Sequence, residues 1–96
     1  MSKTILIVDD SATMIMSLKV ALEMHGFKVE TASNGKEALD KIKSGLKPAL
    51  IITDLNMPVM DGMEFIKNVR LILKFIPILI LTTESEVKKR EEAKKL

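Results

Sequence analysis

Three short runs of branched apolar residues divide the chain. Thr4 to Val8 (TILIV), Ala49 to Thr53 (ALIIT) and Pro77 to Leu81 (PILIL) carry no charge, the pattern of strands buried on both faces of a sheet. A fourth run, Lys28 to Ala32 (KVETA), alternates polar and apolar positions and suits a sheet edge. Segments of helical period lie between them. Met14, Ile15, Leu18, Ala21 and Leu22 recur at helical spacing within Ala12 to His25, with Ser11 placed to cap the start and Gly26 to follow the end. Asn34-Gly35 opens a second helix to about Ser44. Pro58 and Asp61-Gly62 mark a loop before a third helix carrying Phe65, Ile66, Val69 and Leu73. Glu84 to Leu96 reads as a fourth, with Glu84 and Lys88, Glu86 and Arg90, and Glu91 and Lys95 placed for i,i+4 pairing.

Strands alternating with helices of this length imply successive right-handed βαβ units, hence an α/β fold built on a doubly wound parallel sheet. In a flavodoxin-like strand order the first and third strands are neighbours, and ligands bind beyond the carboxyl ends of the strands where that order switches. Asp9 and Asp10 end the first strand and Asp54 ends the third. On the first helix, Met16, Val20 and Met24 add apolar surface away from the sheet-facing positions, which calls for cover on a second side.

At 96 residues and 47% hydrophobic, the chain is expected to form one domain spanning 1–96. The formal charge of +2 is too balanced to suggest a nucleic-acid or membrane-surface binder. VKKREEAKKL is most simply a solvated helix face. Without cysteine, any metal must be held by oxygen or by His25, and an oxygen site favours Mg²⁺ or Ca²⁺. His25 itself fits a favourable charge at a helix end, or a surface residue, better than a phosphodonor or a ligand. The apolar run at the N-terminus meets acids too early for a signal segment or a membrane span, so a cytoplasmic protein is expected.

Three converging carboxylates repel, and a hard divalent cation is the simplest relief. A carboxylate beside Mg²⁺ can attack a phosphoryl group while the metal offsets charge on the transferring oxygens. Asp54 is the candidate nucleophile. Thr82, at the end of the PILIL strand, places a hydroxyl on the same rim.

ILIVDD, TDLNMPVMDG and PILILTTE, in this order and spacing, resemble the receiver domains of response regulators, and most nearly the CheY-like, single-domain chemotaxis type. The resemblance implies Asp54 as phosphoacceptor with a histidine kinase as phosphodonor. It also implies Asp10 as a direct Mg²⁺ ligand, Asp9 as a ligand through water, and the Asn56 backbone carbonyl as a further ligand. Thr82 matches the switch hydroxyl, and Asn56 and Glu84 match positions that modulate how long the phosphoryl group lasts. Receivers of this type continue through a fifth strand, a Lys-Pro turn and a fifth helix. The expected architecture is therefore the order 2-1-3-4 with strand five and helix five missing, and RLILKFIP looks like a local deletion. An uncovered PILIL edge would seek another chain, so a homodimer through strand four or by element exchange is expected.

A signalling module is thus weighed against a self-assembling fragment that no longer signals, and against a Mg²⁺-dependent phosphohydrolase. The hydrolase fits least, because its nucleophile is usually followed two residues later by an acid and here that position is Asn56. Met57 and Met60, flanking Pro58, fit loop packing better than a partner surface.

Overall fold

The structure, a computed structural model, describes residues 3–55 and 60–81. The elements follow the expected alternation: β1 (Thr4–Val8), α1 (Ala12–Met24), β2 (Lys28–Ala32), α2 (Gly35–Lys43), β3 (Leu50–Asp54), α3 (Gly62–Ile72) and β4 (Ile78–Leu81). All strand pairs are parallel, in the order β2-β1-β3-β4. The expected last helix, Glu84 to Leu96, lies outside the described residues.

The chain leaves β1 toward β2 on one side, then returns past β1 to lay down β3 and β4 on the other. Right-handed crossovers in opposite directions put helices on opposite faces. Ile15, Leu18 and Leu22 of α1 accordingly pack on Ile5, Ile7 and Ile52. Leu6, Val8 and Ile51 point the other way, into a larger core formed with Ala38, Leu39 and Ile42 of α2 and Phe65 and Val69 of α3. The strict alternation of Ile5, Leu6, Ile7 and Val8 between these cores is why TILIV has no polar face.

Several boundaries differ from the sequence expectation by one residue. Asp54 pairs with Leu81 inside the ladder, so β3 includes the acid that seemed to end it. Pro77 lies outside β4 although its carbonyl accepts the Ile51 N–H at 3.1 Å, because proline itself has no N–H for the ladder. Leu73 is the C-cap of α3 rather than part of it. His25 likewise caps α1, its Nδ1–H donating to the Ala21 carbonyl at 2.9 Å, and Gly26 follows at φ 89°, a conformation that favours glycine.

The two borders of the described sheet are unlike. At β2, the Lys41 ammonium donates to the Thr31 carbonyl at 2.5 Å and sits 3.6 Å from Glu30, blunting the edge with charge. At β4, Leu79 is 47% exposed and the strand carries no charged residue. The outer stripe of α1, Met16, Val20 and Met24, is exposed as well. In RLILKFIP the Arg70 guanidinium donates to the Ile76 carbonyl at 2.6 Å and the Lys74 carbonyl at 3.3 Å, tying α3 to the start of β4 while Phe75 points into solvent.

Candidate functional site

Every described helix starts at the carboxyl rim of the sheet, and each start is capped by a short polar side chain. Ser11 Oγ accepts the Met14 N–H, Asn34 Oδ1 the Glu37 N–H, and Asp61 Oδ1 the Glu64 N–H. In front of α2, Glu37 also reaches back to the Ser33 N–H and hydroxyl. The rim is therefore held in place by hydrogen bonds independent of the acids between β1 and β3.

Asp9 is the first residue past β1, and its N–H still donates to the Ala32 carbonyl of β2 at 3.1 Å. Its side chain is only 5% exposed, and Oδ1 accepts the Ser11 N–H. Asp10 is exposed and Asp54 half-buried. Register brings them together: Val8 lies opposite Thr53, so the residues that follow each converge. One carboxylate oxygen from each of Asp9, Asp10 and Asp54 lies within 4.8 Å of the others. Burial pushes the Asp9 carboxyl above its ordinary value, the Ser11 N–H opposes this, and the negative charges of Asp54 and Asp10 push it further up.

A cluster of hard oxygen donors carrying this much negative charge suits a small divalent cation. Asp9, Asp10 and Asp54 fit as the residues that would hold Mg²⁺, its charge relieving the repulsion recorded in Asp9. Asn56, Thr82 and Glu84, the other positions expected to act here, lie outside the described residues, as does Met57. Met60 packs against the α2 and α3 core, in keeping with loop packing.

Two residues to which the sequence assigned no role at the site meet the peptide between Asp54 and Leu55. The buried Thr53 hydroxyl donates to the Asp54 carbonyl at 2.9 Å. Gly62, at the start of α3, is so close that a Cβ there would lie 2.3 Å from the same oxygen. The Leu55 N–H, on the other edge of that peptide, donates to Asp54 Oδ1 at 2.7 Å. A lone threonine in the aliphatic run ALIIT was a usable signal for the first. Asp61-Gly62 reads equally well as an ordinary turn.

A family model described as the response regulator receiver domain matches residues 5–96. The chain is 43% identical over 86 residues to the alkaline phosphatase synthesis transcriptional regulatory protein PhoP of Bacillus subtilis, covering 90% of this chain and 35% of that protein. It is 40% identical over 90 residues to the response regulator MprA of Mycobacterium tuberculosis, covering 94% and 39%. The chain thus spans little more than a third of these relatives. Among solved structures, the chemotaxis response regulator CheY4 of Vibrio cholerae superposes with a TM-score of 0.90 at 43% identity, over 99% of this chain and 80% of that one.

Proposed function

Because the chain belongs to the response regulator receiver domain family, a family of signalling modules rather than conventional enzymes, we propose that it receives a phosphoryl group on Asp54 from a histidine kinase. The convergence of Asp9, Asp10 and Asp54 at the β1–β3 switch point is the observation that carries this reading. An Asp54 carboxylate oxygen attacks the phosphorus, an O–P bond forms as the N–P bond of a phosphohistidine breaks, and the imidazole leaves with the bonding pair. Mg²⁺, when bound, supplies positive charge for the transferring oxygens. Asp10 would bind it directly and Asp9 through water, and Asp54 and the Asn56 backbone carbonyl would complete the protein ligands. Thr82 supplies the hydroxyl that follows the phosphoryl group inward, and Asn56 and Glu84 set how readily water removes it. A cytoplasmic setting accords with this chemistry.

Incubation of the chain with Mg²⁺ and acetyl phosphate, followed by intact-mass measurement, tests the reading. The expected result is one phosphoryl adduct that disappears in Asp54→Asn. An adduct on a serine, threonine or His25 overturns it.

A second reading, self-association, is favoured by the uncharged β4 and its half-exposed Leu79. Pairing of β4 with its mate in a twofold dimer would cover both. Light scattering over a concentration series is expected to show a mass rising above that of one chain, and a constant single-chain mass removes this reading.

A further inference from the structure

We propose that Thr53 and Gly62 are positioning residues for the phosphoacceptor: together they fix the Asp54–Leu55 peptide plane, whose N–H sets the direction of the Asp54 carboxylate. This rests on the reading of Asp54 as the nucleophile and assigns the residues that aim it.

A peptide unit is planar, so its carbonyl and its N–H turn together. On one edge of this unit the carbonyl oxygen takes the Thr53 hydroxyl at 2.9 Å. On the other, the Leu55 N–H holds Asp54 Oδ1 at 2.7 Å. The plane also lies hard against the start of α3. A Cβ on Gly62 would come within 2.3 Å of the Asp54 oxygen and 2.6 Å of Leu55 Cα, backbone atoms with no rotamer to give way. Nor is α3 free to retreat. The Gly62 N–H donates to the Leu55 carbonyl at 2.9 Å, and Phe65, Ile66 and Val69 are buried on the same helix. A methyl group at 62 therefore either turns the peptide, which withdraws the N–H from the carboxylate, or lifts the helix, which removes the wall that holds the plane.

Two simpler accounts fail to explain why these contacts share one atom. Thr53 is 0% exposed and its hydroxyl needs some acceptor, but a buried aliphatic at 53 would need none. Gly62 follows the N-cap Asp61, a helix position with no requirement for glycine apart from this close approach. Both side-chain choices converge on the carbonyl of the residue that carries the chemistry.

The test uses the full chain with three substitutions: Gly62→Ala, Thr53→Val, which removes the hydroxyl at nearly constant shape, and Thr53→Ser, which restores it. Melting curves establish which variants fold. In the folded variants, the Leu55 amide proton is followed by NMR, and Mg²⁺ alone is titrated calorimetrically. Gly62→Ala and Thr53→Val are expected to move the Leu55 resonance upfield as its bond to the carboxylate weakens, and to weaken Mg²⁺ binding about tenfold, as expected when a ligand loses an orienting partner. Thr53→Ser should match the parent in both. If Gly62→Ala does not fold, the Thr53 pair decides the matter. An unchanged Leu55 resonance with unchanged Mg²⁺ affinity overturns the proposal, as does a Thr53→Ser variant that behaves like Thr53→Val. Failure of the parent to form an adduct with acetyl phosphate would instead count against the phosphoacceptor reading, and leaves the NMR and Mg²⁺ comparison to judge the positioning on its own.

Discussion

The Ser11 N–H donates to Asp9 Oδ1 at 2.9 Å, so the residue that caps α1 also holds the most buried carboxylate of the site. Helix start and acid cluster share one residue. Ser11→Ala leaves this backbone donor in place and removes only the Oγ that accepts the Met14 N–H. It is expected to cost about 1 kcal/mol of stability, the usual value of an N-cap, while Mg²⁺ affinity stays within about twofold of the parent, a shift worth less than about 0.5 kcal/mol. Urea denaturation and calorimetry check the two halves separately.

Asp9 is expected to destabilise the folded chain at neutral pH. Burial, and then the charges of Asp54 and Asp10, raise its folded-state value above the ordinary 3.8. Between those two values the folded state binds more protons than the unfolded one, so stability falls as pH rises through the window. Asp9→Asn should therefore unfold at higher denaturant than the parent at pH 7 without Mg²⁺. The gap should shrink as pH drops through the raised value and close below 3.8. A variant less stable than the parent at neutral pH refutes the sign.

Glu37 should behave in the opposite sense. The Ser33 hydroxyl, then the Ser33 N–H, hold its carboxyl below the ordinary 4.5. Its contribution is complete above 4.5 and is lost as pH falls through the lowered value. Thermal melts of Glu37→Gln should differ from the parent above pH 5 and converge with it in acid. The side chain is exposed, so the difference should be small and should shrink with salt.

Mg²⁺ should stabilise the chain as it relieves the acid cluster. At a hundred times its Kd, the gain is expected to be about 2.7 kcal/mol. Asp10→Ala, which removes an exposed carboxylate with little packing cost, should abolish most of it. Melting temperatures with and without the ion would show equal shifts in both chains if Asp10 is not a ligand.

Phe65 is 0% exposed between α2 and the sheet. Phe65→Ala is expected to cost about 3–5 kcal/mol, a large part of the stability of a domain this size. Denaturant titration at pH 7 measures it.

The strands were legible because TILIV, ALIIT and PILIL lack a polar face, and a strand between two cores needs none. The acid cluster was legible because parallel winding sends every strand's carboxyl end to one rim. The roles of Thr53 and Gly62 were not. They depend on how closely α3 approaches the Asp54–Leu55 peptide, a tertiary distance with no periodicity to announce it. Met16, Val20 and Met24 are exposed and lie off the positions of α1 that pack on the sheet, yet their pattern does not say what meets them.

The caps formed by Ser11, Asn34 and Asp61 have an electrostatic consequence beyond their hydrogen bonds. They mark three helix N-termini directed toward one rim, each bearing roughly half a positive charge from its aligned peptide dipoles. Winding alone thus gives the rim a background field that favours anions, whatever side chains occupy it. The carboxylates of Asp9, Asp10 and Asp54 sit in that field, and a phosphoryl dianion approaching them would be drawn by it before touching any side chain. A negative charge introduced at a distant cap, as in Asn34→Asp, would keep the cap and weaken this attraction without altering a single contact of the acid cluster.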